Sequence, residues 1–253
     1  MGSGGVKIWR GPRATSLAAT LALSGCAATE RTSADRFAAS GELIALSGGD
    51  AGAFYACFSC HGLDGMGNGA GAPRLAGLDA GYLQRQMEAY AAGLRRHPEM
   101  EEVAAKLGAG ERRSVSAHYA AMPVRAALPS PRSAPGLWAL GDPRRGLEAC
   151  AACHGLEGEG AGPGSPPLAQ QPAAYLADQL HKWRSSERRN DPGNVMLAIS
   201  RRLDSSEIAA LAAYAGSLPA AAARPVYRAA FPAAHRADPR NDVSGRRPHE
   251  AVP

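Results

Sequence analysis

Hydrophobic positions along the chain form one short continuous run and several helical stripes. The run is Ala14–Leu23, behind Lys7, Arg10 and Arg13. It is too short to span a bilayer and has the length and flanks of an export signal. From Tyr82 to Gly93 the spacing is helical, with Tyr82, Leu83, Gln86, Met87 and Tyr90 on one side. A matching stripe runs over Tyr175–Trp183. Val103–Leu107 and Ile199–Leu203 read as short helices. Glu111–Met122 and Ser205–Leu218 read as longer ones, each running into a proline, Pro123 or Pro219. The apolar, Ala-rich segment before Cys57 suits a helix, and the Gly/Pro-rich stretch 62–81 reads as loop.

The stripes recur because the chain repeats. Residues 57–90 align without gaps onto 150–183 at an offset of 93, and sixteen of those 34 pairs are identical. They include Gly62/Gly155, Gly65/Gly158, Pro73/Pro166, Leu75/Leu168, Tyr82/Tyr175, Leu83/Leu176 and Gln86/Gln179. Two copies are too few for a solenoid, so the reading is two similar domains side by side.

Each copy opens on the same chemistry. Cys57-Phe58-Ser59-Cys60-His61 returns as Cys150-Ala151-Ala152-Cys153-His154. The C-x-x-C-H spacing attaches c-type haem covalently. Two cysteines three apart on one helical turn face the same porphyrin edge, and each thiol can become a thioether on a vinyl group. The histidine lies four residues after the first cysteine, on the same face, and can reach the iron as an axial ligand. A zinc site would need two such cysteine pairs, or cysteines and distant histidines, converging on one metal. A thioredoxin-like dithiol would need a βαβ pattern around it, which this sequence lacks. The motif count therefore predicts two haem c groups, held by Cys57, Cys60, Cys150 and Cys153, with His61 and His154 on the irons.

The duplication also arbitrates the sixth ligand. The first repeat offers Met66, Met87, Met100 and Met122, the second only Met196. Met100 lies seven residues before Leu107 and Met196 seven before Leu203, each after a polar, Arg-rich stretch. Met122 matches Leu218, Met87 matches Leu180 and Met66 matches Glu159. Met100 and Met196 are therefore the expected axial ligands, with Met122 the runner-up in the first repeat. A haem with His and Met is closed and suited to one-electron transfer at raised potential. His97, His118 and His181 have no counterpart in the other repeat, and His235 and His249 lie in the tail. The ring nitrogen of each proximal histidine that faces away from iron should donate to a backbone carbonyl. The carbonyls of Pro73 and Pro166 are the candidates.

Composition fits this picture. Aromatic residues are 6% of the chain, few for two small domains without a large apolar cofactor. The formal charge is +5, of which Lys7, Arg10 and Arg13 of the signal carry three. Four haem propionates take the mature protein to about −2, which leaves nucleic-acid binding without support. After the apolar run, Leu23-Ser24-Gly25-Cys26 resembles the bacterial lipobox. A lipidated Cys26 accounts for the fifth cysteine once four are given to haem. The expected location is the periplasmic side, membrane-tethered through Cys26, with Ala27 favouring the outer membrane; without lipidation the protein would be soluble in the periplasm. The boundaries follow: a lipoprotein-type signal over 1–25, a tether with a short helix over 26–47, domains over 48–123 and 141–219, a Pro-rich linker over 124–140, and an Arg/Pro/Ala-rich tail, expected to be disordered, over 220–253.

Together these residues resemble the tandem dihaem class I cytochromes c of the cytochrome c4 type. The shared pattern is C-x-x-C-H-G-x-[DE]-G-x-G, then Pro-x-Leu-Ala, Tyr-Leu-x-x-Gln, the methionine, and a closing helix with Tyr119 or Tyr214, over about residues 50–219. The resemblance implies an all-α protein of two class I cytochrome c domains related by a pseudo-twofold, each wrapped around one covalent haem. It implies an electron carrier in a bacterial respiratory chain, not an enzyme, with redox proteins as partners and no small-molecule substrate. The expected donor is of the quinol–cytochrome c reductase type and the acceptor of the terminal oxidase type. A haem-bearing subunit of a larger dehydrogenase or oxidase is the alternative. A dihaem peroxidase is disfavoured, because it needs an iron with an open position.

Overall fold

The computed structural model describes residues 1–2, 33–124, 133–162 and 164–220. The signal, Cys26, the first part of the tether, positions 125–132 of the linker and the tail from 221 lie outside the described residues. Within them the chain is helical, with isolated bridges but no strand. None of these helices is long and apolar enough to cross a membrane.

The first repeat begins earlier than its motif suggests. Helix α1 (Ser33–Ser47) covers most of the expected tether. It docks on the closing helix α5 (Ala109–Ala121) through small residues. A Cβ on Gly41 would stand 2.0 Å from the Ser114 carbonyl oxygen and 2.8 Å from the His118 Cβ, so the backbones touch where a side chain would separate them. Ala45 is buried beside Leu78, Leu83, Val115 and Tyr119. Residues 33–47 therefore belong to the first domain. Gly41→Ala is expected to force the two helices apart and cost about 1–3 kcal/mol of first-domain stability, read as a lowered denaturant midpoint; an unchanged midpoint would show that the contact is slack.

Between α1 and α5 lie α2 (Phe58–His61), α3 (Ala80–Ala91) and α4 (Pro98–Lys106). Asp79 starts α3 by accepting from the Tyr82 amide at 2.7 Å, as an N-cap carboxylate should. Helix α4 begins at Pro98, several residues ahead of the expected Val103. Proline is favoured in the first helical turn, where its missing N–H goes unused. Met100 thus sits inside the helix and not before it.

The second repeat follows the same order with α6 (Gly136–Ala139), α7 (Cys150–His154), α8 (Ala173–Arg184), α9 (Val195–Ser200) and α10 (Ser205–Ser217). Asp204 and Glu207 form a reciprocal capping box at α10, with bonds of 2.8 and 2.9 Å. Both closing helices stop just before their prolines, with Met122 and Leu218 extended at ψ 137° and 140°. In place of a long first helix this domain uses the end of the expected linker. Trp138 on α6 is 1% exposed, stacks edge-on against Tyr214 at 5.3 Å and donates through Nε1 to the Leu156 carbonyl at 3.1 Å. It joins Leu147, Leu176, Leu203, Ile208 and Leu211 in the second core. The linker therefore ends before Gly136. The closing tyrosines are also not equivalent: Tyr119 is buried with an edge toward His61, whereas Tyr214 is half-buried against Trp138.

The repeats dock directly on each other. Arg96 N donates to the Glu187 carbonyl at 3.1 Å and Arg189 N to the Leu94 carbonyl at 2.8 Å, flanking an antiparallel bridge between Arg95 and Arg188. Nearby, Gln171 exchanges hydrogen bonds with the Arg74 backbone at 2.9 and 3.0 Å. The Arg74 guanidinium is buried against the carbonyls of Ala76 and Ala169.

Candidate functional site

Each C-x-x-C-H pentapeptide folds as a single helical turn ended by a glycine at positive φ, Gly62 at 79° and Gly155 at 81°. The turn gives the two cysteines of a pair different surroundings. Cys57 and Cys150 are half-buried and pack on the cores of their own domains, while Cys60 and Cys153 are exposed. All four are free of disulfides. Burial pushes the Cys57 thiol up to about 11 and raises Cys150 as well.

The loop after each turn comes back to hold the histidine. His61 Nδ1 lies 2.9 Å from the Pro73 carbonyl oxygen, and His154 Nδ1 lies 3.0 Å from that of Pro166. These are the carbonyls expected from the sequence. A carbonyl can only accept, so Nδ1 carries the proton and Nε2 keeps its lone pair for a metal. Burial is the main cause that holds both imidazoles below the usual histidine pKa, with the proline carbonyl opposing it; at His61 the charges of His97 and Arg95 add to the depression. Both rings are thus neutral at physiological pH, as a ligand nitrogen must be.

The path of that loop depends on glycine. Gly67 and Gly160 donate to the His61 and His154 carbonyls, each at 2.8 Å, with φ of 80° and 79°. A Cβ on Gly67 would stand 2.4 Å from the Ala72 carbonyl oxygen, and one on Gly160 would stand 2.7 Å from Pro167 N. Any side chain there would push the proline away from the histidine.

The methionines separate by their packing. Met87 rests on Ala51, Val103 and Leu107. Met122 packs on the Tyr119 side of the domain, with Sδ 2.9 Å from where a Cβ on Gly65 would lie; its counterpart Leu218 fills the same place over Gly158 at 3.0 Å. Met100 and Met196 are half-buried, each in the first turn of its helix. The turn before Met196 is fixed by Asp191, which accepts from the Met196 amide at 2.8 Å and from Trp183 Nε1 at 3.0 Å.

The two cysteine–histidine sets stay in separate domains, and no group of three or more His, Cys, Asp or Glu side chains gathers around a metal position among the described residues. The donor set in each domain is thus two thiols and one oriented imidazole on a single turn. That set suits a covalent porphyrin and not a zinc ion. The Cytochrome c family model matches residues 50–119 and 147–219, one match over each repeat. This chain is a cytochrome c. The thiosulfate dehydrogenase electron acceptor of Stutzerimonas stutzeri (strain A1501) is 42% identical over 184 residues, spanning 70% of this cytochrome and 85% of that protein. The thiosulfate dehydrogenase TsdBA from Marichromatium purpuratum superposes with a TM-score of 0.64 at 41% identity, covering 77% of this cytochrome and 44% of that chain. Reduced cytochrome c4 from Pseudomonas stutzeri superposes at 0.60 with 27% identity, covering 72% and 98%.

The protein is a dihaem, cytochrome c4-like electron-transfer protein with two class I domains. When bound, each haem supplies an iron that changes by one electron. The residues that would hold it are the four thiols of Cys57, Cys60, Cys150 and Cys153 and the imidazoles of His61 and His154, aimed by the proline carbonyls. Sequence reading overlooked the residues that join the domains: Arg74, Arg95, Arg188 and Gln171. A signal was present in Gln86, a polar residue repeated as Gln179 on an otherwise apolar helical stripe, since a buried amide needs partners.

Proposed function

We propose that this cytochrome accepts single electrons from a thiosulfate-oxidising dehydrogenase through two His/Met haems, His61 with Met100 and His154 with Met196, and passes them on to a terminal oxidase-type acceptor. The observation that carries the partner is the similarity over 85% of a relative named as a thiosulfate dehydrogenase electron acceptor. The likeness to part of TsdBA supports the same reading. It favours a dehydrogenase as donor over a quinol–cytochrome c reductase. Met87 and Met122, engaged in apolar packing, support Met100 as the ligand in the first domain. A thioether ligand keeps the potential high, as an acceptor of substrate electrons requires.

The test mixes the oxidised holoprotein with a purified thiosulfate dehydrogenase of the relatives' type and thiosulfate. Full reduction of both haems, at a rate well above that of a monohaem cytochrome c control, is the expected result. Reduction no faster than the control would remove the partner.

On this reading the carrier works on the periplasmic side, held by lipid on Cys26. Mass spectrometry of the mature protein checks both features together. The expected mass is that of a chain beginning at Cys26 plus two haems and the lipid; an unmodified Cys26 would remove the anchor and leave a soluble carrier.

A further inference from the structure

The duplication breaks just before the second methionine. Met100 follows Arg95 by five residues, whereas Met196 follows Arg188 by eight, so the second repeat carries three extra residues there. In the first repeat Met100 is part of α4, which begins at Pro98 and is tied at both ends. Glu101 accepts from the His97 amide at 2.9 Å and pairs with Arg96 at 3.1 Å. Arg112 on α5 donates to the Ala104 carbonyl at 2.9 Å and to Glu88 on α3 at 3.0 and 3.1 Å.

The second repeat is built differently. Ile208 stands at the place of Arg112, and an apolar side chain cannot make that tie. Helix α9 has six residues and is entered through Gly193 and Asn194, both left-handed at φ 67° and 55°. Pro192 to Val195 are exposed. One half-buried side chain gathers this turn. Asp191 Oδ2 accepts from the Met196 amide at 2.8 Å and from the Leu197 amide at 3.3 Å. Its Oδ1 accepts from Trp183 Nε1 at 3.0 Å, and the Trp183 ring is itself held under the Arg188 guanidinium at 3.9 Å. The first-turn amides of a helix have no partner within it. Asp191 therefore ties those of α9 to α8, a helix that packs on the second core through Leu176 and Leu180. Neither half of this clasp exists in the first repeat, which has Tyr90 at the place of Trp183 and only His97 between Arg96 and Pro98.

We propose that Asp191 is the positioning residue for Met196, a latch that keeps the second sixth position closed, and that the second haem is the one that opens to outside ligands when the latch is lost. The proposal rests on the proposed His/Met ligation. Its ground is conformational freedom. A single thioether contact must outweigh the entropy of the segment that delivers it. Met100 comes on a helix fixed at both ends, whereas Met196 comes on a longer, exposed turn fixed by one carboxylate. Asp191 acts through Met196 and not on the iron.

The test compares the full holoprotein with Asp191→Ala, Asp191→Asn and Trp183→Phe, each shown by mass spectrometry to carry two haems. The wild type should show a Met–Fe(III) near-infrared band from both haems. Asp191→Ala should lose half of it and bind one equivalent of imidazole at least tenfold more tightly than the wild type. One midpoint potential should fall by at least tenfold in equilibrium constant, about 59 mV for a one-electron couple, while the other stays in place. Asp191→Asn keeps one acceptor oxygen, which can serve the amides or the indole but not both, and should fall between Asp191→Ala and the wild type. Trp183→Phe keeps a ring for Arg188 and removes the indole N–H, so it should move the same readouts by less than Asp191→Ala. A full band and wild-type imidazole affinity in Asp191→Ala would overturn the latch, as would equal loss from both haems. A wild-type band of half strength that Met196→Ala leaves unchanged would remove Met196 as a ligand, and the latch with it. If Asp191→Ala does not fold with both haems, amide hydrogen exchange of the wild type and Trp183→Phe decides. The Met196 and Leu197 amides should exchange slowly in the wild type and faster in Trp183→Phe; unprotected amides in the wild type would sink the proposal.

Discussion

Met100→Ala is expected to lower the potential of the first haem by a few tenths of a volt, within the roughly 0.8 V that axial ligands span. On the proposed ligation the cause is the loss of a thioether that favours ferrous iron, with water or a weaker donor left in its place. The near-infrared Met–Fe(III) band should fall to half its intensity, because the second haem keeps Met196. Met196→Ala should do the same to the other half, and the double variant should abolish the band. Met122→Ala is the control. Its sulfur packs against Tyr119 and over Gly65, so the substitution should leave a small cavity and an intact band. A full band in Met100→Ala, or a halved one in Met122→Ala, would transfer the role to Met122.

Trp138→Ala should destabilise the second domain by about 3–5 kcal/mol, the range for emptying a buried aromatic site. Trp138 is 1% exposed and stands among Leu147, Leu176, Leu203 and Ile208. The substitution also leaves the Leu156 carbonyl without the indole donor it now accepts from at 3.1 Å. Leu156 follows His154 by two residues, so the loss loosens the chain next to that histidine. Denaturant unfolding should show an early transition for this domain and a later one for the first. Trp138→Phe, which keeps most of the volume, should cost less. A midpoint unchanged by Trp138→Ala would mean that α6 is not part of the second core.

The local parts of the site were legible because their determinants are local. Cysteine, cysteine and histidine at i, i+3 and i+4 share one face of any helical turn, whatever surrounds it. The proline carbonyls opposite His61 and His154 could be named because Gly-rich loops of equal length recur in both copies. The stripes of α3, α8, α5 and α10 were long enough for their period to fix helix type within a few residues. Legibility failed where small or isolated residues carry the contact. Gly41 weakens an isolated helix, and only the Ser114 backbone against it shows why it is there. Trp138 stands beside a Pro-rich stretch and has no partner in its own neighbourhood of sequence.

The sequence by itself determined two Cys-x-x-Cys-His turns and hence a dihaem protein, an all-helical duplicated module, and a short list of methionines. Those follow from spacing and repetition, which act over one to three turns of chain. Only the tertiary structure decided that residues 33–47 belong to the first domain, that Trp138 completes the second, and that Arg95 and Arg188 share Gln86 and Gln179 across the interface. The reason is physical: burial and charge balance are set by groups 60 to 105 residues apart, such as Gly41 and Ser114 or Gln86 and Arg188, which meet only when both domains have folded.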